Sequence, residues 1–179
     1  MNGERLNRGR ADIDEVAPDP VSVVRSLNGM LDGVDVRALR DELENADSVR
    51  DLRGGDFAWM VDLVEAVIAP GFRLEWVAPT APMLQGSEFE GRDEWMRLWR
   101  DWLAAWDEYE LVHRDYVRFG DQVVCDLVHR GRGRGSGIEA EITQSVLWTI
   151  RDGRGARARM YETREDAVDV ARAEEEGEE

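Results

Sequence analysis

Two aspartates, Asp115 and Asp126, sit in neighbouring runs of period-two sequence joined by Gly120-Asp121, a two-residue hairpin signal. With that turn, Phe119 opposes Gln122, Asp115 opposes Asp126 and His113 opposes Val128. If the glycine-arginine run that follows turns about Arg134, Val124 opposes Gln144 and Asp126 opposes Ile142. One face then carries His113, Asp115, Val117, Val124, Asp126, Val128, Ala140, Ile142, Gln144, Val146 and Trp148. Alternation makes this mostly apolar face the concave one. Facing carboxylates in such a place repel each other and lose solvation, so one stays protonated near neutral pH. The pair can then serve as general base and general acid beside a carbonyl, with His113 as proton shuttle. Gln144 would orient a ligand between apolar walls from Trp76 and Trp148. A plain two-residue turn at Asp152-Gly153 brings Tyr161 inward beside Gln144, whereas a bulged turn brings Met160 there instead. The structural alternative is equally explicit. A slip of one residue sets Arg114 against Asp126 in an ordinary salt bridge, and His113 is then a semi-buried structural histidine.

Much chemistry is excluded by composition. Every basic residue of the 179 is Arg; without Lys there is no Walker A loop, no Schiff base and no kinase strand lysine. Cys125 is the single cysteine and lies in a strand-like run, which suits a buried thiol in a reducing, cytoplasmic compartment. His113 and His129 show no metal-ligand spacing, so neither a metal nor a cofactor is expected. The net charge of −16 repels phosphate backbones and anionic bilayers, which argues against nucleic acid and membrane partners. No apolar run approaches a membrane span, and the polar start reads as no signal peptide.

The elements that must position these residues follow from periodicity. Residues 1–19 read as disordered and 20–51 as a helical N-terminal extension, with helices over 21–32 and 35–52. A third helix spans 57–68 behind Asp56, ended by Pro70-Gly71, and a strand covers 72–78. In the helix 94–106, Trp95, Trp99, Trp102 and Trp106 fall on one face and read as core or dimer contact. Strands are expected over 109–119, 122–131, 138–151 and 155–162. Thr163 caps a short helix over 164–172, and 169–179 forms an acidic, frayed tail. Helices first, then a long antiparallel meander, make an α+β layout.

Several local patterns fall in a telling order. Gly55-Asp56-Phe57 opens a helix, and Pro70-Gly71-Phe72-Arg73-Leu74-Glu75-Trp76 follows it. Phe89-Glu90-Gly91-Arg92-Asp93 starts the next helix, then come Phe119-Gly120-Asp121-Gln122-Val123-Val124 and Gly131–Gly137. Trp148-Thr149-Ile150-Arg151-Asp152-Gly153 and Tyr161 with Glu165-Asp166-Ala167 complete the series. Together, over 52–168, they resemble the SnoaL-like domains of the NTF2-like superfamily. The resemblance implies a cone, with helices packed on the concave face of a strongly curved, mostly antiparallel sheet around a small-molecule pocket. It further implies frequent homodimers. The superfamily holds polyketide cyclases, ketosteroid isomerases, hydrolases and non-catalytic binding modules, so fold alone does not choose between a cofactor-independent acid–base enzyme and a ligand-sensing or dimerisation module. A small apolar molecule is the expected partner in either case.

Overall fold

A computed structural model describes residues 18–78 and 86–177. Most of the segment expected to be disordered, 1–19, lies outside the described residues, as does most of the loop after residue 78. Asp19 is inside them and ordered in the fold. Its carboxylate caps helix α1 (Pro20–Asn28) by accepting from Ser22 N at 3.1 Å, and it pairs with Arg118 at 3.0 Å. A 3-10 turn (Gly29–Leu31) continues α1, followed by α2 (Val36–Leu43), a second 3-10 turn (Val49–Gly54) and α3 (Ala58–Val67).

The sheet has six strands: β1 (Ile68–Trp76), β2 (Glu88–Glu90), β3 (Trp106–Phe119), β4 (Gln122–Gly133), β5 (Glu139–Arg151) and β6 (Arg154–Tyr161). Helix α4 (Gly91–Ala104) stands between β2 and β3. The strand order is β2-β1-β6-β5-β4-β3; only β1 and β6 run parallel, and the curved sheet does not close. Pro70-Gly71, expected to end a helix, lies inside β1. The chain leaves α3 directly into the strand, and Pro70 is tolerated where the β1–β6 register shifts.

Two further irregularities set the geometry. In β3, Asp115 and Tyr116 together span the single β4 residue between Asp126 and Val124, so β3 carries a bulge. Asp115 takes a left-handed φ of 59° there, a conformation aspartate tolerates better than most residues. In β6, the register slips between Ile150↔Gly155 and Thr149↔Arg157, one residue past the Asp152-Gly153 turn. Each bulge bends its strand and reverses which side chains face the helices.

The main core lies between the concave sheet face and α1 to α4, with Phe72, Ile68, Leu39, Val61 and Leu103 fully buried. The convex face has its own cover. Helix α5 (Arg164–Gly177) seats Ala167 and Ala171 on Val124, Leu147 and Tyr161. This helix runs well past 172, because Glu174, expected in a frayed tail, is held by Arg159 and Gln122 at 2.6 Å each.

Candidate functional site

Register places the inward side chains in rows across the sheet. Cys125, Val146, Met160 and Trp76 form one row, and Val123, Trp148, Ala158 and Leu74 the next. Towards the open end, His113, Leu127 and Gln144 align, as do Leu111 and His129. Above them α4 lowers Trp95, Leu98, Trp99 and Trp102, since positions three and four apart share a helix face. The tip of α1 and the 3-10 turn add Leu27, Asn28, Met30 and Leu31. What these surfaces enclose is an apolar chamber of about 80 Å³. A wholly apolar side cavity of about 40 Å³ adjoins it under α2 and α3. A polar vestibule of about 590 Å³ lies between the 29–36 segment and β3.

One polar chain crosses the chamber wall. The Tyr109 hydroxyl lies 2.7 Å from His129 Nδ1, and the His129 ring meets Trp102 edge-on at 5.2 Å. Gln144, 1% exposed, is buried beside the same imidazole. Burial pushes His129 down to about 4, against which the neighbouring Gln144 amide acts, and burial together with the nearby His129 takes His113 to about 4 as well. Both rings are therefore neutral at pH 7 and accept hydrogen bonds. Burial drives the Tyr109 phenol well above its ordinary value, so it stays an O–H donor. With Tyr109 donating to Nδ1, the proton of the neutral His129 ring resides on Nε2. Gly131 makes this arrangement possible. A Cβ there would stand 2.5 Å from the Trp106 ring, which packs against both Trp102 and Tyr109. Replacing Tyr109 by Phe strips His129 Nδ1 of its donor in a dry site, and we expect a loss of about 1–3 kcal/mol in urea denaturation.

Against this geometry the sequence expectations divide. His113, Trp76 and Trp148 line the chamber, and Gln144 faces inward behind His129. Asp115 and Asp126 do not face each other. Arg114 stands opposite Asp126, the slipped register, because the bulge takes up one residue of β3. The Asp115 side chain is 63% exposed, with Arg114 at 3.9 Å. Asp126 lies on the convex face, accepting from Ser145 Oγ at 2.6 Å and pairing with Arg164 at 3.1 Å. An ion-paired and hydrogen-bonded carboxylate on the far side of the sheet has no reach into the chamber. Tyr161 also belongs to the convex face, under α5, and Met160 takes the inward place, as a bulged turn requires.

His129, Tyr109 and Asn28 are the polar residues that sequence reasoning missed. Phasing β4 on Val124, Asp126 and Val128 turns His129 to the opposite face. That strand is apolar on both faces, since α5 covers the convex one, and Val123, Val124, Cys125, Leu127 and Val128 are all buried. A strand buried on both sides loses its period-two signal. The signal able to restore the phase was the terminal helix, whose Ala167 and Ala171 require a second sheet face to cover. The Trp stripe, read as core or dimer contact, forms the roof of the chamber through three of its four members.

Among the described residues no cluster of His, Cys, Asp or Glu is arranged to hold a metal, and no helix is long and apolar enough to cross a membrane. The family model for the SnoaL-like domain matches residues 47–158. No curated protein matches the chain. Three solved structures are similar in fold. IdmH, a candidate polyketide cyclase from Streptomyces antibioticus, is 18% identical over 87% of this chain and 99% of its own, with a TM-score of 0.53. An NTF2-like protein of unknown function from Burkholderia pseudomallei is 18% identical over 86% and 95%, TM-score 0.52. TerC, co-crystallised with polyporic acid, is 15% identical over 86% and 99%, TM-score 0.52. The helices α1, α2 and α5 lie outside the segment that the family model matches.

Proposed function

The chain belongs to the SnoaL-like domain family, and on that premise we propose that it takes up a small, mostly apolar molecule between the concave sheet face and the helices, with His113 accepting a proton or hydrogen bond from the ligand. One observation carries this reading. Among the described residues, His113 is the single titratable side chain that borders both the apolar chamber and the polar vestibule, and it is neutral there. Flat aromatic walls from Trp76, Trp95, Trp99, Trp102 and Trp148 favour a ring compound. That TerC, which shares the fold, was co-crystallised with polyporic acid fits a small-molecule role for such a scaffold.

The strength of the base narrows the chemistry. A base whose conjugate acid has a pKa of about 4 is always unprotonated at pH 7, but it lies two to three units below the match that makes proton abstraction efficient. Such an imidazole suits transfer between oxygens, from a ligand hydroxyl or phenol, better than removal of a proton from carbon. The reaction class supported best is cofactor-independent proton transfer on a hydroxylated ring compound. A second reading, ligand sensing without turnover, is favoured by one feature: no carboxylate lines the chamber among the described residues.

Calorimetry with phenol and toluene tests the role of His113. His113→Leu is expected to weaken phenol about tenfold, one lost hydrogen bond, and to leave toluene unchanged. His113→Gln, which keeps an acceptor, restores part of the loss. Equal effects on both probes would remove His113 from ligand recognition. Native mass spectrometry of the protein from its own host separates the two readings. A co-purifying compound that the wild type converts and His113→Leu does not supports the enzyme, and one that both hold unchanged supports the sensor.

A further inference from the structure

The chamber of about 80 Å³ is too small for the ligand just proposed, since a cavity of roughly 150 Å³ is what holds a single benzene ring. The missing room lies next door, in the side cavity and the vestibule. Leu31 is the only described residue that lines the chamber, the side cavity and the vestibule together. Resting on the small-molecule reading above, we propose that Leu31 is the gate of this pocket and its specificity-determining residue. The ligand displaces it, and the bound molecule runs from the aromatic chamber past position 31 into the vestibule. The ligand class that follows is an elongated ring compound of two or more rings, apolar at its inner end and polar at its outer end. Its polar end meets Tyr116, Asp32 and Arg25, whose guanidinium stacks over the Tyr116 ring at 5.1 Å.

The segment carrying Leu31 is built to move at low cost. It is a single 3-10 turn between Gly29 and Gly33, the latter at φ 72°, held by the backbone bonds Asp32 N to Gly29 O and Val34 N to Leu31 O at 3.1 and 3.2 Å. Its neighbour Asn28 is fastened by two long contacts, 3.3 Å to the Tyr116 hydroxyl and 3.5 Å to Cys125 Sγ. Both Asn28 and Leu31 precede the segment that the family model matches.

Stopped-flow quenching of tryptophan emission by 2-naphthol tests the gate. A closed gate lowers the apparent association rate by the fraction of time it is open. Leu31→Ala is expected to raise that rate about tenfold, and Leu31→Trp to lower it at least as much. Leu98→Ala removes the same atoms from the chamber roof and should raise the association rate much less than Leu31→Ala. Circular dichroism melts establish that each variant is folded. Equal acceleration by Leu31→Ala and Leu98→Ala would reduce position 31 to one more wall, and binding at a rate indifferent to position 31 would overturn the gate alone. If a folded wild type and both alanine variants all fail to bind 2-naphthol, the small-molecule reading falls and the gate with it.

Discussion

Acidification from pH 7 to pH 4 should remove about 4–6 kcal/mol of folding stability, a large part of what a domain of this size possesses. The unfolded chain protonates its histidines with a pKa near 6.5, whereas His113 and His129 in the fold resist protonation down to about 4. Between those values the unfolded state binds protons that the folded state does not, so stability falls as pH falls through that window and is fully present above it. Each imidazole contributes up to about 3 kcal/mol. The two are neighbours, and a charge on one makes the second harder to protonate, so their contributions are not independent. Urea denaturation at pH 7, 5.5 and 4 reads the effect directly. The double variant His113→Gln, His129→Gln should flatten the curve over this range, whatever its absolute stability. A wild type equally stable at pH 7 and 4.5 would mean that both rings already reach water. Glu174 acts in a separate window. Hydrogen bonding from Arg159 lowers its carboxyl to about 2, so its contribution is fully present above the ordinary value of 4.5 and is lost as pH falls from there towards 2.

Glu174→Gln is expected to cost about 3 kcal/mol, roughly 10 °C in midpoint. Arg159 is 6% exposed, and Glu174 meets both of its terminal nitrogens at 2.6 Å, so losing the carboxylate strands a buried cation. Arg159→Met keeps the packing and removes the charge along with its need for a partner. It should cost less, and the double variant should be more stable than Glu174→Gln alone. Because the pair lies on the convex face, 2-naphthol binding should survive in all three. A Glu174→Gln protein as stable as wild type would show that α5 rests on Ala167 and Ala171 without the ion pair.

The helices, the meander and the hairpin turns are legible in the sequence, because each rests on local chemistry: the Thr163 cap, the Gly120-Asp121 and Asp152-Gly153 turns, the Trp95-to-Trp102 stripe. The site was half legible. Trp76, Trp148, Gln144 and His113 follow from alternation within their own strands. Asp115, Asp126 and Tyr161 depended on register carried across a bulge, and neither Asp115-Tyr116 nor the slip in β6 announces itself locally. Phase errors of one residue exchange whole faces. His129 was lost the same way, on a strand whose two buried faces look alike.

The bulge at Asp115 also bears on how molecules of this protein meet. Strand β3 is one end of an open sheet, and such an end offers unpaired N–H and C=O groups to any passing strand. Here the row is broken part-way by a left-handed residue and flanked by the outward charges of Arg114 and Asp115. A second strand that pairs with the run from Glu108 to Arg114 is stopped at the bulge. The same kink that turned the two aspartates apart thus guards the rim against fibre-like growth, and straightening it should make the protein prone to self-association.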